Sequence, residues 1–199
     1  MITIEPEILD QVQKGNQGAF TQLVETYQRP VYNLCYRMLA DASEAEDAAQ
    51  ETFLRVYKNI KHYDHKRPFS TWILSIAAHH CIDQLRKRRM LVISMDEVPY
   101  IDPPDSAPGP EDSYHLKETQ KRMAALLNSL GPQDRAAVIM YYWYDFSYDE
   151  IASSLQLTVS AVKSRLHRAR ITLAQTWQKQ SASNFLSEPE RKTHESPAF

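Results

Sequence analysis

Along most of the chain, apolar residues recur three and four positions apart, and runs that alternate apolar with polar are scarce. That period is helical, because residues one turn apart share a face, so the chain is read as all-α. In the first half the pattern predicts four helices: Glu5 to Lys14, Gln17 to Leu39, Ser43 to Ile60, and Phe69 to Arg89. Pro30 sits inside the second and is expected to bend or break it, since proline lacks the donor that a helix interior needs. The third has an apolar side formed by Ala45, Ala49, Phe53, Val56 and Ile60, opposite a polar side with Glu44, Asp47, Gln50, Glu51 and Lys58. In the fourth, Ile73, Leu74, Ala77, Ala78, Cys81, Ile82 and Leu85 form a broad core stripe, leaving Trp72, Ser75, Ile76, His79, Asp83 and Arg86 on another face.

The segment from Phe146 to Arg170 reads as a helix-turn-helix. Ser147 is placed as an N-cap, and Glu150 three residues on completes a capping box, so a first helix begins there and runs through Ile151, Ala152 and Leu155. A short turn follows at Gln156 to Thr158. From Val159, the apolar positions Val162, Leu166, Ala169 and Leu173 line one face, which gathers Ser160, Lys163, Ser164, His167 and Arg168 on the other. Such a face suits a major groove, where Lys and Arg donate to guanine edges or phosphates and Ser serves either. Arg165 and Arg170 flank the stripe as expected phosphate contacts.

Charge first argues against this reading and then supports it. The 199 residues carry a formal net charge of -2, whereas phosphate neutralisation by Lys and Arg supplies most non-specific DNA affinity. The charges are segregated, however. Arg86, Lys87, Arg88 and Arg89 form one basic cluster and Lys163 to Arg170 another, with no Lys or Arg between Met90 and Leu116. That gap holds Asp96, Glu97, Asp102, Asp105, Glu111 and Asp112 together with Pro103, Pro104, Pro108, Gly109 and Pro110, the composition of a flexible acidic linker. The boundaries expected are a module over 1–93, a linker over 94–113, a second module over 114–177, and a disordered tail over 178–199, where Ser, Pro and mixed charge show no apolar period.

Other classes find little support. Ahead of the fourth helix, His62, Tyr63, His65, Lys66, Arg67 and Phe69 make an aromatic and basic loop beside Trp72, a combination that can stack on unpaired bases and hold a separated strand. His79, His80 and Cys81 invite a metal reading, but consecutive helical side chains point about 100° apart and cannot converge on one ion. No metal, cofactor or catalytic constellation is expected. Cys35 and Cys81 lie in apolar helical settings that suit buried, reduced thiols. No apolar run is long enough to span a bilayer and the amino terminus lacks a signal-peptide pattern, so a cytoplasmic protein is expected.

Three segments carry a specific resemblance. NLCYRMLADASEAEDAAQETFLRVYKNI, FSTWILSIAAHHCIDQLRKRR and LNSLGPQDRAAVIMYYWYDFSYDEIASSLQLTVSAVKSRLHRAR resemble a bacterial RNA polymerase sigma factor of the extracytoplasmic function (ECF) type, over roughly Ile8 to Trp177. The motifs ED..QETF, F.TW, L....R and DEIA...V.SR.HRAR occur in family order at family spacing. The resemblance implies a sigma-2-like and a sigma-4-like helical domain, and transcription initiation that periodicity alone does not reveal.

It also implies roles. Asp47, Gln50, Glu51 and Leu54 lie where the family docks on the clamp helices of the largest polymerase subunit, with the flap region as a second core contact. Tyr63, Lys66, Arg67, Phe69, Trp72, His79 and Arg86 lie where the family captures an unstacked base of the -10 element and holds the melted strand. Ser160, Lys163, Ser164, Arg165, His167, Arg168 and Arg170 lie where it meets the -35 element of promoter DNA. A cognate anti-sigma factor, usually membrane-anchored, is a further implied partner. One departure bears on -10 preference: the family's IARN pattern reads IAAH here, with His79 in place of Asn. The competing readings are a stand-alone helix-turn-helix activator or repressor, which would need a dimer and a two-fold operator, and a metal-dependent enzyme.

Overall fold

The computed structural model describes residues 4–94 and 111–187, and among them every regular element is helical. In order these are α1 (Pro6–Gln13), α2 (Gln17–Leu39), α3 (Ala42–Asn59), a 3-10 turn (Ile60–His62), α4 (Phe69–Ser94), α5 (Glu111–Asn128), α6 (Pro132–Tyr144), α7 (Tyr148–Leu155) and α8 (Val159–Ser187). The expected linker residues 95–110, and residues 188–199 of the expected tail, lie outside the described residues.

The first module is a bundle of α2, α3 and α4 with α1 laid across its end. Local chemistry sets its helix starts. Asn16 caps α2 by accepting from the Ala19 N–H at 3.0 Å, and Asp41 caps α3 by accepting from the Glu44 N–H at 2.9 Å. Leu23, Tyr27, Val31, Leu34 and Met38 of α2 meet Ala45, Ala48 and Val56 of α3 and Ile73, Leu74 and Ala77 of α4, all buried. Pro30 does not break α2, which runs unbroken from Gln17 to Leu39. Its ring is buried in this core, and the packing of whole turns on either side outweighs the few kcal/mol that an interior proline costs. Cys35 and Cys81 are free thiols, both fully buried, and the hydrogen bond to Cys35 together with burial pushes the Cys81 thiol well up.

Helix limits depart from expectation at three ends, one of them the start of α5, which takes in residues 111–113 of the expected linker because no proline follows Pro110 until Pro132. Helix α4 continues to Ser94 rather than Arg89, because Leu91, Val92 and Ile93 contain nothing to stop it. Helix α8 continues past Trp177 to Ser187, so the first ten residues of the expected disordered tail are helical. Extending an existing helix by one residue is cheap, and residues 178–187 contain no Gly or Pro; the first breaker is Pro189.

The second module packs α6, α7 and α8 around Ile139, Met140, Phe146, Ile151, Leu155, Val162 and Leu166, with α5 against α8. It also sits directly on the first module. Helix α6 is buried at six consecutive positions, Arg135 to Met140, which a helix with a single core face cannot achieve. The remaining face rests on α2 and α4, and α7 rests on α4. Two hydrogen bonds fasten this contact to the α2 backbone, one in its last turn and one in its interior. The Arg135 guanidinium donates through Nη1 to the Met38 carbonyl at 2.6 Å, satisfying an acceptor in the last turn of α2. The Tyr144 hydroxyl, kept protonated by burial, donates to the Pro30 carbonyl at 2.6 Å. Arg37 also stacks over Trp143, 5.2 Å from the ring centre.

Candidate nucleic-acid interface

The helix-turn-helix forms as its sequence predicts. Ser147 Oγ accepts from the Glu150 N–H at 3.2 Å, and Glu150 Oε2 accepts in return from the Ser147 N–H at 2.8 Å. Gln156 closes α7 in a left-handed conformation (φ 55°), and Thr158 starts α8 by accepting from the Ala161 N–H at 3.1 Å. Val162, Leu166 and Ala169 are buried against α6 and α7, which forces the other face outwards. Replacing Ser147 with Ala should lower module stability by about 1 kcal/mol through loss of the cap, visible as a lower thermal midpoint. An unchanged midpoint would remove the capping box from the account.

Of the seven residues expected at the -35 element, Ser160, Lys163, Ser164, His167, Arg168 and Arg170 are exposed. Two of the cations are engaged within the module. Arg165 is half-buried and ion-paired with Asp134 at 2.7 Å, joining α8 to α6. Arg170 donates through Nε to the Tyr142 hydroxyl at 2.9 Å and lies over the Tyr141 ring. The side chains left facing outward with no such partner among the described residues are Ser160, Ser164, His167 and Arg168, while Lys163 lies 5.8 Å above the Tyr148 ring.

The aromatic loop before α4 is organised differently from an open stacking platform. Tyr63 and Phe69 are buried and Trp72 is half-buried. Their rings form a continuous cluster, with centroid separations of 5.2 Å for Tyr63–Phe69, 5.2 Å for Tyr63–Trp72 and 5.5 Å for Phe69–Trp72, and Tyr27 sits 5.2 Å beneath Phe69. The Arg67 N–H donates to the Asp64 carbonyl at 3.1 Å, the Lys66 N–H to Asp64 Oδ1 at 3.0 Å, and the Tyr63 hydroxyl to the Arg67 carbonyl. These bonds make a tight turn that leaves His65, Lys66 and Arg67 exposed above the rings. Beside the turn opens a cavity of about 420 Å³ lined by Tyr27, Tyr63, Phe69, Lys66 and Arg67 on one side and by Ile4, Pro6 and Leu9 on the other. The contribution of α1 to this wall was absent from the sequence reading, since its few apolar residues gave no sign of where it would pack.

Further along α4, the His79 ring hydrogen bonds through Nδ1 to the Ser75 carbonyl at 2.9 Å. A carbonyl only accepts, so Nδ1 carries a proton and Nε2 is the ring nitrogen left for another partner. His80 bonds instead to Gln84, at 3.1 Å, with burial holding its imidazole below the usual value, and Cys81 turns to Cys35, so the three neighbours point into separate surroundings. Arg86 is exposed 4.0 Å from Asp83, and Arg88 is ion-paired with Glu44 of α3.

On α3, Asp47 and Gln50 are exposed, Glu51 is half-exposed and Leu54 is 54% exposed, with Tyr57 55% exposed one turn on. Glu51 bonds to Arg55 Nε at 2.7 Å, which holds its carboxyl below the usual range. None of these four positions is covered by the second module. Among the described residues no helix is long and apolar enough to cross a membrane.

Comparison with known proteins gives the arrangement a family. The Sigma-70 region 2 family matches residues 23–90, and the Sigma-70, region 4 family matches residues 120–173. The chain is 36% identical over 172 residues to the ECF RNA polymerase sigma factor SigW of Bacillus subtilis, covering 83% of this chain and 92% of that protein. It is 35% identical over 161 residues to the ECF RNA polymerase sigma factor SigE of Mycolicibacterium smegmatis, covering 78% and 62%. Among solved structures, CnrH in complex with the cytosolic domain of CnrY shares the fold, with a TM-score of 0.64 and 22% identity over 86% of this chain and 96% of that one. RpoE of Bartonella quintana, solved with the anti-sigma factor NepR, gives a TM-score of 0.63 and 24% identity over 80% and 96%. Two matched sigma regions in order, carried on an all-helical fold with an exposed helix-turn-helix stripe, place the chain in the ECF family of RNA polymerase sigma factors.

Proposed function

We propose that this sigma factor divides promoter recognition between its two modules, residues 1–93 serving core binding and the -10 element and residues 114–177 serving the -35 element. The observation that carries the reading is the face of α8, where Ser160, Lys163, Ser164, His167 and Arg168 are exposed on a helix held rigidly by a capped partner. Arg168 is the base-reading residue, being unpaired among the described residues and central in the stripe. Arg165 and Arg170 act from the edge of the interface, orienting α8 through Asp134 and Tyr142 and meeting phosphates only if those bonds exchange.

In the first module, Lys66 and Arg67 hold the strand backbone while the cavity beside Tyr63, Phe69 and Trp72 takes the unstacked base against ring edges. His79 and Arg86 lie along the continuation of that strand. The exposed carboxylates and Leu54 of α3 suit a basic, partly apolar surface such as the clamp helices of the largest polymerase subunit, with the flap region meeting the second module. The remaining partner is an anti-sigma factor, anchored in the membrane, that keeps the modules from promoters. The RpoE relative solved with NepR makes that partner class reasonable.

Run-off transcription with purified core enzyme, with and without the protein, on fragments of its own genome tests the reading. Protein-dependent transcripts sharing two upstream motifs are expected. No transcripts, with core enzyme active under another sigma factor, would favour a stand-alone regulator. Asp47→Arg should weaken core binding by about tenfold through like-charge contact with a basic docking surface, while leaving the -35 contacts of the other module unchanged. Unaltered core affinity would reject the α3 assignment.

A further inference from the structure

Helix α1 precedes the residues matched by the sigma region 2 family, and it makes one contact of unusual density. The carboxamide of Gln13, its last residue, donates to the Ile60 carbonyl at 3.0 Å and to the Tyr63 carbonyl at 3.2 Å. With both amide hydrogens used, its oxygen is left as acceptor, and it lies 3.0 Å from His65 Nε2. His65 therefore donates through Nε2, and Asp10, one turn back on α1, stands 3.6 Å from the same nitrogen. One side chain thus ties together the start of the 3-10 turn, the residue that caps its end and an exposed loop ring.

The anchoring of α1 makes this brace stiff. Leu9 and Val12 are buried at 4% exposure each, so Gln13 is held on a packed helix rather than on a frayed end. The Tyr63 carbonyl that Gln13 grips belongs to the residue whose ring forms the cluster with Phe69 and Trp72 and whose hydroxyl closes the turn onto Arg67. The Ile60 carbonyl also accepts from the Tyr63 N–H at 3.1 Å, so the amide adds a second bond there and reaches past the cap of the turn to the Tyr63 carbonyl. Leu9 also forms part of the far wall of the 420 Å³ cavity.

We infer that Gln13 is a positioning residue for -10 base capture, fixing the loop of Tyr63, Lys66 and Arg67 against the cavity so that it is formed before the base arrives. This rests on the reading of that loop as the base-capture site. Its effect is entropic: a loop already ordered loses less freedom when the strand docks.

The test uses holoenzyme reconstituted from core enzyme and the full chain carrying Gln13→Met, which keeps side-chain length and removes the donors, or Gln13→Ala. Arg67→Ala serves as the probe of the capture site itself. Promoter opening is followed by the fluorescence of 2-aminopurine placed in the -10 element, with core affinity measured alongside. Both Gln13 variants are expected to slow opening about tenfold, the scale of one or two lost net hydrogen bonds, and to reduce discrimination among bases at the captured position, with core affinity unchanged. Wild-type opening by Gln13→Met while Arg67→Ala is slow would overturn the inference and leave base capture standing. Wild-type opening by all three would remove the base-capture reading as well. A loss of core affinity parallel to the loss of opening would reduce Gln13 to a structural residue and overturn the inference.

Discussion

Arg168→Ala should weaken binding of holoenzyme to its -35 element by about 1 to 3 kcal/mol, and the loss should fall on one base position. Arg168 is exposed on the outward face of α8, while Val162, Leu166 and Ala169 on the opposite face are buried, so the substitution removes a groove contact without disturbing the helix that presents it. The contrast with Arg165 is diagnostic. Arg165 is tied to Asp134 and half-buried, so Arg165→Ala should lower stability along with affinity and should do so on every sequence alike. Competition binding against a set of single-base variants of the -35 element separates the two. Equal losses for Arg168→Ala on all variants would make it a phosphate contact.

Arg135→Ala should destabilise the protein by about 3 kcal/mol and let the modules separate. The side chain is 5% exposed and makes the 2.6 Å bond to the Met38 carbonyl that joins α6 to the end of α2. Burial, with a smaller contribution from Arg88, pushes its guanidinium down to about 10 from the usual arginine value, so the charge itself is unfavourable in this place. At neutral pH, below both values, that cost is present in full. What Arg135 contributes is therefore directional bonding and packing of its stem. Arg135→Met, which keeps most of the stem, should lose less than Arg135→Ala. Chemical denaturation gives the first quantity, and the radius of gyration from small-angle scattering gives the second. A compact Arg135→Ala variant of wild-type stability would show that α6 is held to α2 by other contacts, with Tyr144 and Trp143 the first to examine.

The contact between the modules extends to α7. Thr71, near the start of α4, is buried and its hydroxyl lies 3.3 Å from Glu150 Oε1, the same carboxylate that completes the cap of α7. Helix α7, the first of the helix-turn-helix, thus rests on the start of the helix that carries Trp72 and His79.

The amino-acid sequence by itself determined α1 to α4, α7 and α8 apart from some of their ends, with their inward faces and the stripe on α8, but not α5 or α6. These are local properties: a period of 3.6, a capping box at Ser147 and Glu150, and a charge pattern that any solvent-facing helix would display. Family membership was legible for the same reason, because the motifs lie within single helices and short turns. The tertiary structure decided the rest. That Arg165 turns inward depends on Asp134, 31 residues away, and that Tyr63 and Phe69 form a buried floor depends on Tyr27 and α1. The burial of α6 on two sides, and the brace from Gln13 to a loop 47 to 50 residues further on, depend on elements that sequence spacing does not relate. Periodicity specifies which side of a helix avoids water, but which partner covers that side is set by long-range packing.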